Sequence, residues 1–214
     1  MKEVLGHVAA WMCVLLVIFS APFVISEFAP STRSIQECVE STVTVHIGEF
    51  GHGSGVYISP NCILTAGHVA DNDESLSVEL NDGTILEVKQ VLLDSDDDLC
   101  FLYTEESSDM WIPMGSIEDV SVGDEVYLIG TPLTKKLRLS VTKGVLSHND
   151  RFEFEYWKDV FQVDAYAALG NSGGPLIFKG KLVGICVGLV GSRAGSGLIL
   201  CEPVDDIDPW LRSK

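Results

Sequence analysis

Apolar and polar positions alternate along most of this chain in short runs. Residues 41–48 read STVTVHIG, a period-two pattern that puts successive side chains on opposite faces of a strand. The runs GSGVYIS (53–59), CILTAGHV (62–69), SLSVEL (75–80), TILEVKQVLL (84–93) and LCFLY (99–103) follow, divided by Gly, Asp, Asn and Pro. A connecting stretch, EESSDMWIPMGSIED (105–119), leads to a second set. Its runs are EVYLIG (125–130), LRLSVTKGVLS (137–147), RFEFEYW (151–157), DVFQVD (159–164), PLIF (175–178), LVGICVGLV (182–190) and GLILC (197–201). No amphipathic helix of useful length stands before the terminal VDDIDPWLRSK. Many short strands at this spacing predict an all-β sandwich or barrel, and two similar halves predict two barrels, at about 36–108 and 119–205.

The first segment breaks this pattern. From Val8 to Ser26 there are 19 residues without a charge. As a helix they would span about 28 Å, close to the hydrocarbon thickness of a bilayer. Residues 1–26 are therefore expected to be an apolar N-terminal helix that acts as a signal-anchor or as a signal peptide. Length fits the anchor, and Val24 and Ser26 fit a cut after Ser26. The protein is expected to be membrane-anchored by this segment, or secreted or periplasmic after its cleavage, with residues 27–214 as the folded unit.

Composition narrows the classes. The chain has 214 residues, 46% of them apolar, enough for a full core. Its net charge of −17 gives nothing for counterion release on a phosphate backbone, so no nucleic-acid partner is expected. The six cysteines, Cys13, Cys38, Cys62, Cys100, Cys186 and Cys201, include no CxxC pair, so no metal site and no cofactor are expected. Most lie in apolar runs where a small buried thiol packs well. Cys186 and Cys201 fall in successive runs and could bridge if their hairpin is in register.

Three places carry candidate chemistry. In Gly170-Asn171-Ser172-Gly173-Gly174-Pro175 the glycines let the backbone turn sharply around a serine and aim its N–H groups at one point. A serine hydroxyl needs a base, and His68, in Leu64-Thr65-Ala66-Gly67-His68-Val69, has the near-neutral pKa of one. Asp98 is the last acid of Asp96-Asp97-Asp98 before an apolar strand, where a half-buried carboxylate can hold an imidazole N–H.

With these motifs in the order His, Asp, Ser, the chain resembles the chymotrypsin-fold serine proteases, and within them the HtrA-type trypsin-like peptidases. The likeness runs from about residue 40 to 205 and includes GSGVYIS, ILTAGHV, DLCFL, GDEVYLIGTPL, VTKGVLS, FQVDAYAALGNSGGPLI, GKLVGI and GSGLILCEPVDDI. It implies two six-stranded antiparallel β-barrels with the active site in the cleft between them. It also implies a catalytic triad of His68, Asp98 and Ser172, and an oxyanion hole at the N–H groups of Gly170 and Ser172. HtrA proteins usually carry a PDZ domain after the protease domain; the sequence ends at Lys214, and none is expected. No trypsin-type activation site stands near residues 27–40, so activity without zymogen cleavage is expected.

By the same resemblance the primary substrate pocket is lined by Tyr166, Ala167, Ala168 and Leu169, and by a following strand at Ile185, Cys186, Val187 and Gly188. None is charged. The leading function is a serine endopeptidase that cuts protein or peptide substrates through an acyl-enzyme, in protein quality control or processing. A virus- or phage-encoded processing protease and a catalytically silent binding module on the same scaffold are the alternatives. The run RFEFEYW is read as a β-hairpin with one apolar face, or as a loop that touches substrate.

Overall fold

Among the described residues, seven strands precede the connecting stretch and six follow it. The computed structural model describes residues 32–71, 75–94, 97–191, 196–205 and 207. The apolar 8–26 run, Cys13 and Asp96 lie outside the described residues. Among the described residues no helix is long and apolar enough to cross a membrane.

The first half holds β1 (Thr42–Ile47), β2 (Gly51–Ser59), β3 (Cys62–Ala66), β4 (Leu76–Glu79), β5 (Ile85–Glu87), β6 (Gln90–Leu93) and β7 (Leu99–Tyr103). They form one antiparallel sheet in the order β5-β4-β1-β2-β3-β7-β6. This corrects the expected six-stranded closed barrel. The run 84–93 is two strands at opposite edges of the sheet, not one. Its first half pairs with β4 and its second with β7. The change happens at Val88 and Lys89, whose amides bond the carbonyls of Leu76 and Tyr103. The sheet's two edges are thus joined through a corner of chain, with no ladder between β5 and β6.

The second half holds β8 (Glu125–Gly130), β9 (Ser140–Phe154), β10 (Trp157–Ala167), β11 (Pro175–Phe178), β12 (Lys181–Leu189) and β13 (Ser196–Pro203). These close a barrel in the order β10-β13-β12-β11-β8-β9, so here the expected six-stranded barrel is present. β9 takes in 140–147 and 151–154, the greater part of two expected runs, and Phe154 pairs with Trp157 across the two-residue turn Glu155–Tyr156. RFEFEYW is therefore one arm and the tip of a long β9–β10 hairpin.

A short helix, α1 (Ile35–Glu40), was not expected. Ser34 caps it: the Glu37 amide donates to Ser34 Oγ, and the Ser34 amide donates to the Glu37 carboxylate. This is a capping box, which satisfies amides that the first helical turn leaves open.

Side chains from both halves share one continuous core. It runs from Tyr57, Ile63, Leu64 and Phe101 across to Ile129, Ile185, Val187 and Leu200. Phe161, Leu128 and Leu146 fill a second cluster inside the closed barrel. Full burial of such side chains is worth about 1.5–3 kcal/mol each. Buried polar bonds also cross between the halves. Thr44 and Thr131 pair through their hydroxyls at 2.7 Å, and the Thr131 amide donates to Ser54 Oγ at 2.9 Å.

Cys186 lies opposite Cys201 in the β12–β13 register. The two are buried free thiols, so the pair does not bridge. Burial raises the Cys201 thiol well above its ordinary value.

Candidate active site

Strand pairing explains how residues 68 and 98 meet. β3 and β7 are antiparallel with Ala66 opposite Leu99, which sets Gly67 across from Asp98. The Gly67 amide bonds the Asp98 carbonyl at 2.8 Å. The chain then turns into a single helical turn, α2 (Gly67–Ala70). His68 faces back: its backbone N–H donates to Asp98 Oδ1 at 2.7 Å and its Nδ1 lies 2.6 Å from Asp98 Oδ2. A carboxylate only accepts, so a proton is on Nδ1, and in the neutral ring Nε2 keeps the lone pair. Burial pushes the Asp98 carboxyl up. The hydrogen bond and charge of His68, the indole N–H of Trp157 and the His68 amide outweigh it, and the net shift is downward. Asp98 is thus held as the anion.

Ser172 sits in the tight loop between β10 and β11. Each turn of this loop is fixed by a carbonyl. Ala168 O accepts from the Asn171 amide at 3.0 Å, Asn171 O from the Gly174 amide at 2.8 Å, and Leu169 O from the Leu133 amide at 2.6 Å. From the first sheet, β2 holds the loop as well. Ser54 Oγ donates to Gly170 O at 2.7 Å, and the Ser54 amide donates to Ser172 O at 2.8 Å. A planar trans peptide sends its N–H away from its carbonyl. With the carbonyls of Leu169 and Asn171 turned to protein donors, the amides of Gly170 and Ser172 point the other way. Neither amide donates to a protein acceptor among the described residues. Two such amides beside a serine can receive an oxyanion.

The glycines are required by space. Gly173 has φ +82°, and a Cβ there would stand 2.1 Å from both Ser54 O and Thr65 Oγ1. Gly170 has φ +96°, and its Cβ would stand 2.3 Å from Thr131 O and 2.5 Å from His52 Nε2.

His68 and Ser172 line one cavity of about 270 Å³ with Ala168, Leu169, Cys186 and Val187. Gly188, Leu189 and the hairpin tip Glu155–Trp157 complete it. No hydrogen bond joins His68 to Ser172; such contacts are often long without substrate and tighten once it binds. Of the expected pocket residues, the cavity gathers Ala168, Leu169, Cys186, Val187 and Gly188. Tyr166, Ala167 and Ile185 are not in its lining. Period two along β10 turns Tyr166 outward, 49% exposed, while Ala167 and Ile185 are fully buried in the core.

Three further residues shape the site: Ser54 and Glu202, which the sequence does not single out, and Trp157, which it offers only as part of the run RFEFEYW. Ser54 was visible only as part of a strand motif. Glu202 lies on β13, 1% exposed, and its Oε1 accepts the Asp98 amide at 3.0 Å. Its Oε2 is buried with no hydrogen-bond partner. Burial first, and then the negative charges of Asp98, Asp97 and Asp159, push its carboxyl up to about 8, against the opposing pull of the Asp98 amide.

A pH dependence follows from Glu202. The folded protein keeps this proton up to pH about 8, whereas an unfolded chain releases it above the ordinary carboxylate value. The stability contributed by neutral Glu202 is therefore complete below that ordinary value. It declines as pH rises and is lost through pH about 8, an effect on the order of 5 kcal/mol. Glu202→Gln keeps an oxygen for the Asp98 amide and cannot ionise. Urea unfolding followed from pH 5 to 8.5 is expected to show a shallower fall in stability for the variant than for the parent. Equal slopes would show that Glu202 is not the titrating group.

The fold has the architecture of the trypsin-like peptidases. Residues 53–185 match the family described as Trypsin-like peptidase domain, and the chain belongs to that family. Among curated relatives, it is 35% identical over 173 residues to the serine protease Do-like HtrA of Bacillus subtilis, covering 75% of this chain and 38% of the relative. It is 32% identical over 171 residues to a probable periplasmic serine endoprotease, DegP-like, of Bartonella henselae, covering 78% of this chain and 32% of the relative. The chain thus spans about a third to two-fifths of the length of these relatives. Among solved structures, it is similar to the HtrA-type protease AlgW with a tripeptide, at TM-score 0.70 and 25% identity, covering 80% of this chain and 60% of that one.

Proposed function

We propose that this protein is a serine endopeptidase and that Ser172, His68 and Asp98 carry its chemistry. Ser172 Oγ attacks the carbonyl carbon of the scissile peptide bond while His68 Nε2 takes its proton. Asp98 holds the Nδ1–H, which fixes the ring's tautomer and stabilises the imidazolium that forms. The amides of Gly170 and Ser172 receive the oxyanion. His68 then returns the proton to the leaving amine, and water hydrolyses the acyl-enzyme by the same route. The observation that carries this reading is the 2.6 Å contact of His68 Nδ1 with Asp98 Oδ2, in a ring that shares its cavity with Ser172. A fluorogenic peptide assay on the parent and on Ser172→Ala tests it. Cleavage by the parent and none by the variant is expected, and equal rates would overturn it.

Residues 27–214 are the peptidase unit in this reading, and residues 1–26 are a signal or anchor for export. The periplasmic name of one relative supports a site of action outside the cytoplasm.

Protein and peptide substrates with small or medium aliphatic side chains before the scissile bond fit the cavity best. Ala168, Leu169, Val187, Gly188 and Leu189 give it apolar walls. Its acid, Glu155, is exposed at the hairpin tip and is screened there by water and salt. Cutting after Lys or Arg needs an acid buried at the pocket base. Peptide-library profiling is expected to give a broad preference for Val, Ala, Ile and Leu, because one methylene is worth only ~1–3 kcal/mol in such a pocket. A profile dominated by Lys and Arg would contradict it.

A further inference from the structure

The Asp98 carboxylate receives a donor from the opposite side of the cleft. Trp157 begins β10 at the tip of the long hairpin, and its Nε1–H donates to Asp98 Oδ2 at 2.9 Å. That oxygen is the one bonded to His68 Nδ1, and Oδ1 is bonded to the His68 amide. The carboxylate is therefore fixed by His68 through both oxygens and by one residue from the second barrel.

The indole is held firmly enough to serve in this way. Trp157 is 7% exposed. Its ring occupies space that only glycine at position 188 leaves open: a Cβ there would stand 2.7 Å from Cη2 of the indole. Tyr156 covers it at a ring-centroid distance of 4.2 Å. Farther down the hairpin, Arg151 bonds Asp159 at 3.0 Å and Asp205 at 2.9 Å, tying both arms to the chain just past β13. Trp157 also lines the cavity that holds Ser172.

We infer that Trp157 is a positioning residue for the His68–Asp98 pair, through which the β9–β10 hairpin sets the orientation of the general base. This rests on the peptidase reading. A hydrogen bond to a charged group is worth more than a neutral one, and with two donors on one oxygen each restricts the direction available to the other. The carboxylate plane, and with it the imidazole, is then set jointly by the two halves of the molecule. The indole is among the groups that pull the Asp98 carboxyl down.

Trp157→Phe keeps an aromatic ring at the position but removes the N–H donor and part of the buried indole, so the readout that separates this role from packing is the resonance of the His68–Asp98 bond. In the full chain, kcat on a fluorogenic peptide is expected to fall about tenfold. The low-field proton resonance of the His68 Nδ1–H···Asp98 bond is expected to move, because its acceptor oxygen has lost a competing donor. Unchanged kcat with an unmoved resonance would overturn the inference and leave Trp157 as a packing residue. If Trp157→Phe does not fold, the indole Nε1–H resonance of Trp157 decides, compared between Ser172→Ala and Ser172→Ala/Asp98→Asn. A shift on removing the carboxylate supports the bond, and an identical resonance overturns it. A parent enzyme without peptidase activity would count against the peptidase reading alone, since both resonance readouts remain interpretable in it.

Discussion

Ser172→Ala and His68→Ala are each expected to lower kcat on a peptide substrate by on the order of 10⁶. The double variant is expected to be no worse than either single one by more than a small factor. Nucleophile and base act as one device: without the base the hydroxyl is not activated, and without the hydroxyl the base has nothing to deprotonate. Asp98→Asn should cost less, about 10⁴, since the oxyanion amides and the other two residues remain while the tautomer of His68 is disturbed. Losses that multiply in the double variant would mean the two residues work separately and that the assignment is wrong. Substrate kinetics with active-site titration would read these effects free of differences in folded fraction.

Among substitutions, the largest effect on stability is expected from Gly173→Ala. The position has a backbone conformation that L side chains rarely adopt, φ +82°, and a Cβ would stand 2.1 Å from a backbone oxygen of β2 and from the Thr65 hydroxyl. Neither neighbour can retreat. Ser54 O accepts from Thr65 Oγ1 at 2.7 Å, and the Ser54 amide holds Ser172 O at 2.8 Å. The strain and overlap together should cost at least about 3 kcal/mol. The displaced loop carries Ser172, so activity should disappear even where the variant stays folded. Urea unfolding read beside peptidase activity checks both. A variant with parental stability would show that the loop does not press on β2 as described.

Strand content and the residues that meet at the candidate site were legible in the sequence because both signals are local. Alternation in 41–48 and 125–130 marked strands directly. Asp98 was legible as the acid nearest an apolar strand, and β3–β7 register then carries it to His68. The split of 84–93 was not legible. Its two halves share one alternation, and what divides them is which edge of the sheet each one meets. The capping box of α1 could have been read from Ser34 and Glu37, a local signal that the strand pattern around it masked. Trp157 and Glu202 are 59 and 104 residues from Asp98 in sequence, and no local pattern encodes contacts of that span. Tyr166 went the other way: the family resemblance put it in a pocket wall, while the period of β10 turns it outward, 49% exposed.

Covalent labelling with a fluorophosphonate is the decisive measurement for the proposed chemistry. Such a reagent forms a stable phosphonyl ester only with a serine that has an activating base and oxyanion donors around it. Mass spectrometry of the labelled protein is expected to place one adduct on Ser172, and to find none in His68→Ala or Ser172→Ala under the same conditions. A folded parent that takes no label, or that takes it on another serine with Ser172 unmodified, would contradict the assignment.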